Sequence, residues 1–486
     1  MVARNNNVTT FNTFALVENK MFGKDRIIEL LRNLTREARK NGAGQAEALY
    51  AGNHGSVARF ANSSVIQNVR ESDRRIYFRV LLDKRLGIAS TNSLHIEDLK
   101  RCIKKATAIA KQSKPLFFFD SFPLPCKYPE IKTHFPETAE FTVSNKIKML
   151  DSIFKKLKSE TESPLTSILS PKGRGRGEGV KAGGAFSTVE TEIGLVNTNG
   201  IEAYQPFTSA NINLITSSPS MSGFASQFER NAGDIDADKL FSVAAKKAAM
   251  GGKKKGLRPG RYTVLLEPPA VAEILEWLIY IGFGAGEFID GTSFMSGNMG
   301  KKIMDRKLTI YDDGADLCGF PVPFDFEGME KKRLYIIKSG VAKGIAYDTL
   351  LAKKNRKKTT GHALIPEDIE GPFPTNVFIK EGDNAINDMV STVERGILVT
   401  RFHYVNGLLD TKTASMTGMT RDGTFYIEGG EIKYPVDDMR FTDSMLEAFS
   451  RVRAISRERQ AFPTPWSDVG ASIVPALLIE EFNFSG

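Results

Sequence analysis

The chain has 486 residues, and its hydrophobic and charged fractions of 41% and 25% are typical of a globular protein with two or three domains. Lysine and arginine exceed aspartate and glutamate by 9 charges, an excess that favours a solvated surface over a dedicated nucleic-acid surface. Three scattered cysteines exclude a disulfide framework and fit a reducing, cytoplasmic setting. Residues 1–20 lack an apolar core, and the longest apolar stretch, 270–283, carries two glutamates. We therefore expect neither a signal peptide nor a membrane span.

Residues 24–114 predict an N-terminal α+β domain. The spacing of apolar residues indicates a helix over 24–40. Strand-like runs follow at 45–51, 55–61, 64–70, 75–83 and 87–91. We place breaks between them at Gly52 and at Ser72-Asp73. A second helix is predicted to start after Ser93 and to end near Ser113. It completes a helix, β-meander, helix pattern, which is α+β rather than alternating βαβ.

A middle α+β domain is predicted over 115–257. We expect in it a helix near 143–159 and two strands, near 185–198 and 201–216, joined at the hairpin signal Asn199-Gly200. Asp234 is predicted to cap a further helix. Residues 163–179 are low in complexity, which predicts an inserted, mobile surface loop. Its alternating glycines and arginines could contact nucleic acid, but this alternative is less favoured.

The last predicted domain, 258–486, is rich in strands and follows a basic run. A strand over 262–266 leads into a helix that extends to Phe283, and Pro268-Pro269 suits the first turn of that helix. A helix is also predicted over 443–452. The remaining residues, 1–23, form an N-terminal tail.

Several segments, in a shared order, resemble one known family. They are Val57–Asn62 with Gln67-Asn68, Gly87–Asn92, Leu265–Glu273, Pro323–Gly328, Ser391–Gly396 and Thr417–Glu428. Over nearly the whole chain this order is similar to the TldD/PmbA family. The resemblance implies an α+β N-terminal region, a strand-rich C-terminal domain, and either a homodimer or a heterodimer with a TldD-type subunit. It also implies a peptidase system that degrades unfolded peptides and trims peptide precursors.

The resemblance implies zinc for only one type of subunit. TldD-type subunits carry the metal on a His-Glu-x-x-x-His helix with a distal cysteine, whereas PmbA-type (TldE-type) subunits lack that site. In this chain the corresponding helix offers Glu273 and Glu276, which we predict to lie on a solvated helix face. No histidine lies between His134 and His362, and no cysteine follows Cys318. The sequence therefore predicts no catalytic residue and no metal ligand in this chain, with zinc as the alternative cofactor.

The leading prediction is a PmbA/TldE-like subunit that pairs with a zinc-bearing TldD-type subunit and helps to enclose an extended peptide. Strand-rich domains hold such peptides by backbone hydrogen bonds. The candidate lining residues are Arg401, His403, Asn406, Arg421 and Asp422.

A second hypothesis is a self-contained peptidase with a rearranged metal site. His362 and His403 would bind the metal together with Glu276, Asp410 or Asp422. Nothing in their spacing requires this, and structural or substrate-contacting histidines are favoured.

Two further interpretations have less support. Asp325, Glu327 and Glu330 form an acidic cluster that could bind a metal or a cationic peptide, although a polar loop is favoured. The other interpretation is a non-enzymatic binding protein for nucleic acid or a topoisomerase-related partner. Only the net positive charge supports it, and the basic clusters lack the interleaved aromatic residues that are typical of nucleic-acid recognition.

Overall fold

The computed structural model describes residues 21–162, 180–250 and 253–485. Most of the predicted tail and the predicted insertion 163–179 lie outside the described residues. Within these ranges the chain is α+β, as predicted, with a strand-rich C-terminal region. None of the helices in the described ranges is long and apolar enough to cross a membrane.

The N-terminal half of the chain combines long antiparallel strands with helices. Its elements are α1 (Lys24–Lys40), β1 (Gln45–Ala61), β2 (Ser64–Leu82), β3 (Arg85–Thr91), α2 (Ile96–Gln112), α3 (Pro136–Ala139), α4 (Val143–Glu162), β4 (Lys181–Asn197), β5 (Glu202–Ser217), β6 (Ser222–Glu229) and α5 (Ala237–Ala249). In the described part of the chain these strands form one antiparallel sheet in the order β3-β2-β1-β4-β5-β6. Strands from the predicted domains 24–114 and 115–257 therefore belong to a single sheet.

Helices cover one face of this sheet, and the other face turns toward the C-terminal region. Apolar side chains of α1 and α2 pack on one end of the covered face, and those of α4 and α5 pack on the other end. On the opposite face, Leu49, Tyr77 and Leu195 share a buried cluster with Phe324 and Phe326. Because successive side chains of a strand point to opposite faces, the same strands contribute to the core under the helices and to the core against the C-terminal region.

Two predicted strand breaks were wrong. Gly52 lies inside the continuous strand β1, and Ser72-Asp73 lies inside β2, opposite residues 53–54 of β1. A Cβ atom at Gly52 would stand 2.4 Å from the Tyr50 hydroxyl, so the glycine makes room for that ring rather than for a turn. The helix start predicted at Asp234 was also displaced, because Asp236 caps α5 by accepting a hydrogen bond from the Lys239 N–H at 2.9 Å.

The C-terminal half is built mainly of strands. Its elements are β7 (Gly260–Leu266), α6 (Pro268–Leu278), α7 (Ala285–Ile289), β8 (Ile310–Asp312), β9 (Leu334–Lys338), β10 (Val341–Ala342), α8 (Thr349–Lys354), β11 (Asn376–Ile379), α9 (Ile386–Ser391), β12 (Arg395–Asp410), β13 (Ser415–Glu428), β14 (Glu431–Pro435), β15 (Arg440–Ser444), α10 (Met445–Ser450), β16 (Val452–Phe462) and β17 (Ala471–Phe484). The helix predicted over 443–452 is the shorter α10, whose cap is Ser444.

The second sheet closes on itself around α6. Its main path is β10-β9-β8-β11-β17-β15-β13-β12-β7, and β7 also pairs with β17. The apolar residues Ala270, Val271, Ile274 and Leu278 of α6 are fully buried. At Leu278 the α-helix gives way to a π-helical turn, 279–283, so the predicted helix has two geometries.

Candidate functional site

Helix α6 leaves β7 through two prolines and presents two glutamates to its surroundings. The prediction of a solvated face for Glu273 and Glu276 was wrong. Glu276 is buried, and Glu273 is half-buried. Burial of both carboxyls is possible because α6 packs against strands from two sides of the closed sheet rather than against solvent.

Glu276 ties α6 to the start of β17 and to the chain segment between β16 and β17. Its carboxylate oxygens accept hydrogen bonds from the Ser472 hydroxyl at 2.6 Å and from the Thr464 hydroxyl at 2.8 Å. Its backbone carbonyl accepts a hydrogen bond from Trp466 Nε1 at 3.0 Å. Burial raises the pKa of Glu276 to about 7, although the two hydroxyl donors oppose that shift.

We expect Glu276→Gln to change the pH dependence of stability. The pKa of Glu276 is raised on folding, so the protonated carboxyl is the form that the folded state favours. The stability that this protonated group contributes is complete below about pH 4.5 and is lost as the pH rises through about 7. A glutamine is neutral throughout and keeps an acceptor for the hydroxyl donors. The stability of the variant relative to the wild type should therefore rise between pH 5 and 8, by on the order of 2 kcal/mol. Urea unfolding at several pH values measures this difference, and parallel curves would contradict it.

A partly buried ion pair joins β12, β13 and β6. The Arg401 guanidinium donates to Asp422 Oδ2, with an Nε to oxygen distance of 2.9 Å. The Ser222 hydroxyl of β6 donates to the other oxygen of Asp422 at 2.6 Å. The guanidinium also lies 4.6 Å from the centre of the Phe224 ring. Both oxygens of Asp422 are thus engaged by the protein itself.

The structure brings four of the five predicted lining residues together. Arg401 and Arg421 face each other across β12 and β13, and His403 faces Met419 two pairs further along. Burial lowers the pKa of His403, and Arg421 and Arg401 lower it further, so its neutral form is favoured. Asn406 lies further toward the exposed end of the hairpin, where its side-chain oxygen accepts a hydrogen bond from the Leu408 N–H at 2.8 Å.

Glu273 is the carboxylate of α6 that faces this ion pair. Burial raises its pKa to about 7, and the positive charge of Arg401 partly offsets that shift. Among the described residues it has no hydrogen-bond partner. A carboxyl group in this position can hold a proton near neutral pH.

The residues of the rearranged metal site are placed in different environments. His362 is buried, with Nε2 3.1 Å from Asp312 Oδ1 and Nδ1 2.9 Å from the Thr360 hydroxyl. Asp410 is exposed on the hairpin, where it accepts hydrogen bonds from the Lys412 N–H and the Thr413 hydroxyl. These contacts give His362 and Asp410 local structural partners.

The acidic cluster near residue 325 is a buried network rather than a polar loop. Glu327 accepts a hydrogen bond from Arg79 at 2.6 Å, and Arg79 also donates to Glu47 at 2.7 Å. Asp325 accepts three backbone N–H groups, among them that of Ala363. This corrects the interpretation of Asp325 and Glu327 as part of a polar loop, whereas Glu330 is half-buried and lies 3.2 Å from Lys332 Nζ.

The donors around α6 and β13 do not fit the zinc ion that the resemblance implies for TldD-type subunits. Such a site needs imidazole, thiolate or free carboxylate donors that converge on one point. Here Glu276 is engaged by two hydroxyls, and Asp422 is engaged by Arg401 and Ser222. Across residues 21–162, 180–250 and 253–485, no three His, Cys, Asp or Glu side chains form a group that could hold a metal ion.

A groove of about 710 Å³ extends along β6 from this ion pair. Its walls are β6, α5, the start of α6 and residues 457–461 of β16. Phe224 belongs both to the groove and to the surroundings of Arg401. Sequence reasoning missed β6, because Phe224 and Phe228 stand among small and polar residues without a regular alternation.

Residues 259–486 match the family model of the PmbA/TldA metallopeptidase C-terminal domain, and residues 46–110 match that of PmbA/TldA metallopeptidase domain 1. The fold and these matches define a metalloprotease-like protein. The chain belongs to the TldD/PmbA family.

Relatives of both kinds are similar to this chain. A metalloprotease TldD homolog of Haemophilus influenzae is 22% identical over 446 residues, which are 85% of this chain and 87% of the relative. A metalloprotease PmbA homolog of Buchnera aphidicola is 22% identical over 426 residues, which are 82% of this chain and 84% of the relative.

Solved structures share the fold over nearly the whole length. TldE from Thermococcus kodakarensis has a TM-score of 0.82 at 20% identity, covering 94% of this chain and 100% of that one. A Thermotoga maritima protein described as a modulator of a DNA gyrase has a TM-score of 0.80 at 18% identity, covering 94% and 99%. At these identities the likeness establishes the fold alone.

Proposed function

We propose that this chain is the zinc-less, PmbA/TldE-like subunit of a cytosolic TldD/PmbA peptidase system that acts on unfolded or precursor peptides. In this proposal it pairs with a zinc-bearing TldD-type subunit. It holds the peptide and contributes no catalytic residue of its own.

The observation that carries the proposal is the engagement of Glu276 on α6 and of Asp422 on β13 by hydrogen-bond donors of the protein itself. Asp422 is held by a guanidinium and a hydroxyl, and Glu276 is held by two hydroxyls. Freeing either carboxylate for a metal would leave buried donors without acceptors, at a cost of about 1–3 kcal/mol for each group. The arrangement therefore favours a structural role for both carboxylates.

The groove beside β6 supports the peptide-holding role. In the described part of the chain β6 is the last strand of its sheet, with β5 as its strand neighbour. The Gln460 amide donates to the Ser226 carbonyl, which shows that this carbonyl points away from β5. Because alternate residues of an antiparallel strand point to the same edge, Phe224 and Phe228 share the edge of Ser226. An extended peptide can pair with that edge in place of Gln460.

The ion pair of Arg401 and Asp422 stands at one end of this edge. Ser222 and Phe224 connect it to β6, so in this proposal Arg401, His403, Arg421 and Asp422 contact the peptide where it leaves the groove. The more distant Asn406 contacts it only along the exposed hairpin.

Metal analysis with an activity assay tests the proposal. We expect gently purified, untagged protein to contain far less than one zinc ion per chain and to leave an unfolded peptide intact. A TldD-type subunit of the same organism, treated identically, is the control for metal loss. The two chains mixed should co-purify and cleave the peptide. One zinc ion per chain together with peptide cleavage by this chain alone would contradict the proposal.

A further inference from the structure

A cleft lies between the N-terminal sheet and the segment that joins β16 to β17. It is on the face of the sheet opposite the helices. It consists of two adjoining cavities of about 410 and 290 Å³, which share Asn53, Thr464, Ser467 and Asp468. Phe228 lines both the larger cavity and the groove beside β6. The cleft therefore adjoins the proposed peptide groove at Phe228, and it lies outside the ion-pair cluster.

The floor of the cleft is a part of the sheet with small side chains at its centre. Asn53, Gly55 and Val57 alternate along β1 and face the cleft, whereas Ala58 and Phe60 are buried with the helices on the other side. Gly55 pairs with Glu71 on β2 and with Val189 on β4. Small residues at the centre leave room for a chain to lie on the sheet.

The opposite wall is fixed by hydrogen bonds. Thr464 and Trp466 are bound to Glu276 of α6, and the Asn53 amide donates to Asp468 Oδ2 at 3.2 Å. Trp466 also stacks on Tyr280, with ring centres 4.5 Å apart. The cleft is thus a built feature with two anchored walls.

All charged side chains that line the two cavities are acidic. They are Glu71, Asp73, Asp368 and Asp468. In the described part of the chain none of the four forms a salt bridge. Lysine and arginine are in excess in this chain, yet none lines either cavity. Glu71, Asp73 and Asp468 are exposed, and Asp368 is half-buried. Carboxylates that line a cleft with no lysine or arginine among them favour a cationic occupant.

We propose that this cleft binds a lysine- or arginine-bearing segment of the extended peptide. The ammonium or guanidinium group would contact Asp73 and Asp468, and its aliphatic stem would lie against Tyr77 and Trp466 at the apolar end of the cleft. The inference rests on the proposed peptide-holding function and adds a charge preference to it.

Binding of labelled peptides tests this preference. Three unstructured peptides of equal length would carry two central lysines, two glutamines or two glutamates in an otherwise neutral sequence, and fluorescence anisotropy with the full chain would give their affinities. We expect the lysine peptide to bind roughly ten times more tightly than the glutamine peptide, with a smaller difference at high salt. The glutamate peptide should bind most weakly.

The double variant Asp73→Asn and Asp468→Asn removes two charges but keeps one acceptor oxygen at each position. It should reduce the preference for lysine to about two-fold or less, whereas a double variant of exposed acids outside the cleft, Glu97→Gln and Glu137→Gln, should keep it. Equal binding of all three peptides would overturn the charge preference and leave peptide holding intact. Absence of binding for all three would overturn both.

Discussion

Replacing Arg79 with methionine should lower the free energy of unfolding by about 3–5 kcal/mol, the cost typical of breaking a buried ion pair from one side. Arg79 bridges Glu47 of β1 and Glu327 of the C-terminal half, and all three side chains are nearly inaccessible to solvent. Methionine fills similar space but leaves two buried carboxylates without a cation. Chemical unfolding at pH 8, where the carboxylates are charged in the unfolded chain, measures the loss.

The pKa values of the two carboxyls show how they share Arg79. Burial raises the pKa of Glu47 to about 7 despite the guanidinium. Burial also acts to raise the pKa of Glu327, but Arg79 and the Thr349 N–H lower it overall. Glu327 is therefore the carboxylate that depends most on Arg79 for its charge.

An exposed ion pair provides the matched control. Arg32 makes two hydrogen bonds of 2.8 Å with Glu202 on the surface. The same substitution there, Arg32→Met, should cost less than about 1 kcal/mol. Adding Glu47→Gln and Glu327→Gln to Arg79→Met should restore part of the stability, since the uncompensated charges are removed. Equal losses for Arg79→Met and Arg32→Met would contradict the role of the buried network.

The second large effect is expected for Gly87→Ala, which should cost about 3 kcal/mol, the upper part of the range for overpacked sites. A Cβ atom at Gly87 would lie 2.1 Å from the Ala106 carbonyl oxygen and 2.4 Å from the Ala110 nitrogen. Both atoms belong to the backbone of α2, which cannot give way as a flexible side chain can. The strand β3 and the helix α2 would have to separate, and thermal unfolding would report the loss.

Gly183→Ala is the control for this substitution. Gly183 also lies in a strand of the same sheet, but a Cβ atom there would have one neighbour within 4 Å, the Phe60 carbonyl oxygen at 3.7 Å. This is an ordinary contact, so the variant should unfold within a few degrees of the wild type. A similar drop for both variants would mean that alanine is poorly tolerated in the sheet in general and not that β3 and α2 are in close contact.

Local patterns in the sequence predicted the helices and strands better than they predicted which elements pack or pair with one another. The helix over 24–40 and the hairpin at Asn199-Gly200 follow from periodicity and turn chemistry, which act over a few residues. Gly52 misled the strand prediction because a glycine signals either a turn or a close approach, and only the position of Tyr50 distinguishes the two.

The candidate site depends on contacts that no local pattern contains. Ser222 is 200 residues from Asp422, and Glu276 is 196 residues from Ser472. The spacing of Glu273 and Glu276 shows that they share a helix face, but it does not show what lies opposite that face. Resemblance to the TldD/PmbA family identified the strands that carry Arg401 and Asp422, whereas their pairing with β6 required the fold.

The shared sheet has a consequence for synthesis of the chain on the ribosome. Strand β1 is made early, but its second neighbour, β4, follows only after the whole segment from Ser64 to Val180. At roughly 5–20 residues per second, β1 would wait on the order of ten seconds with one long edge unpaired. An unpaired edge of this kind is a site for aggregation, so the nascent chain is expected to need protection by chaperones until β4 emerges.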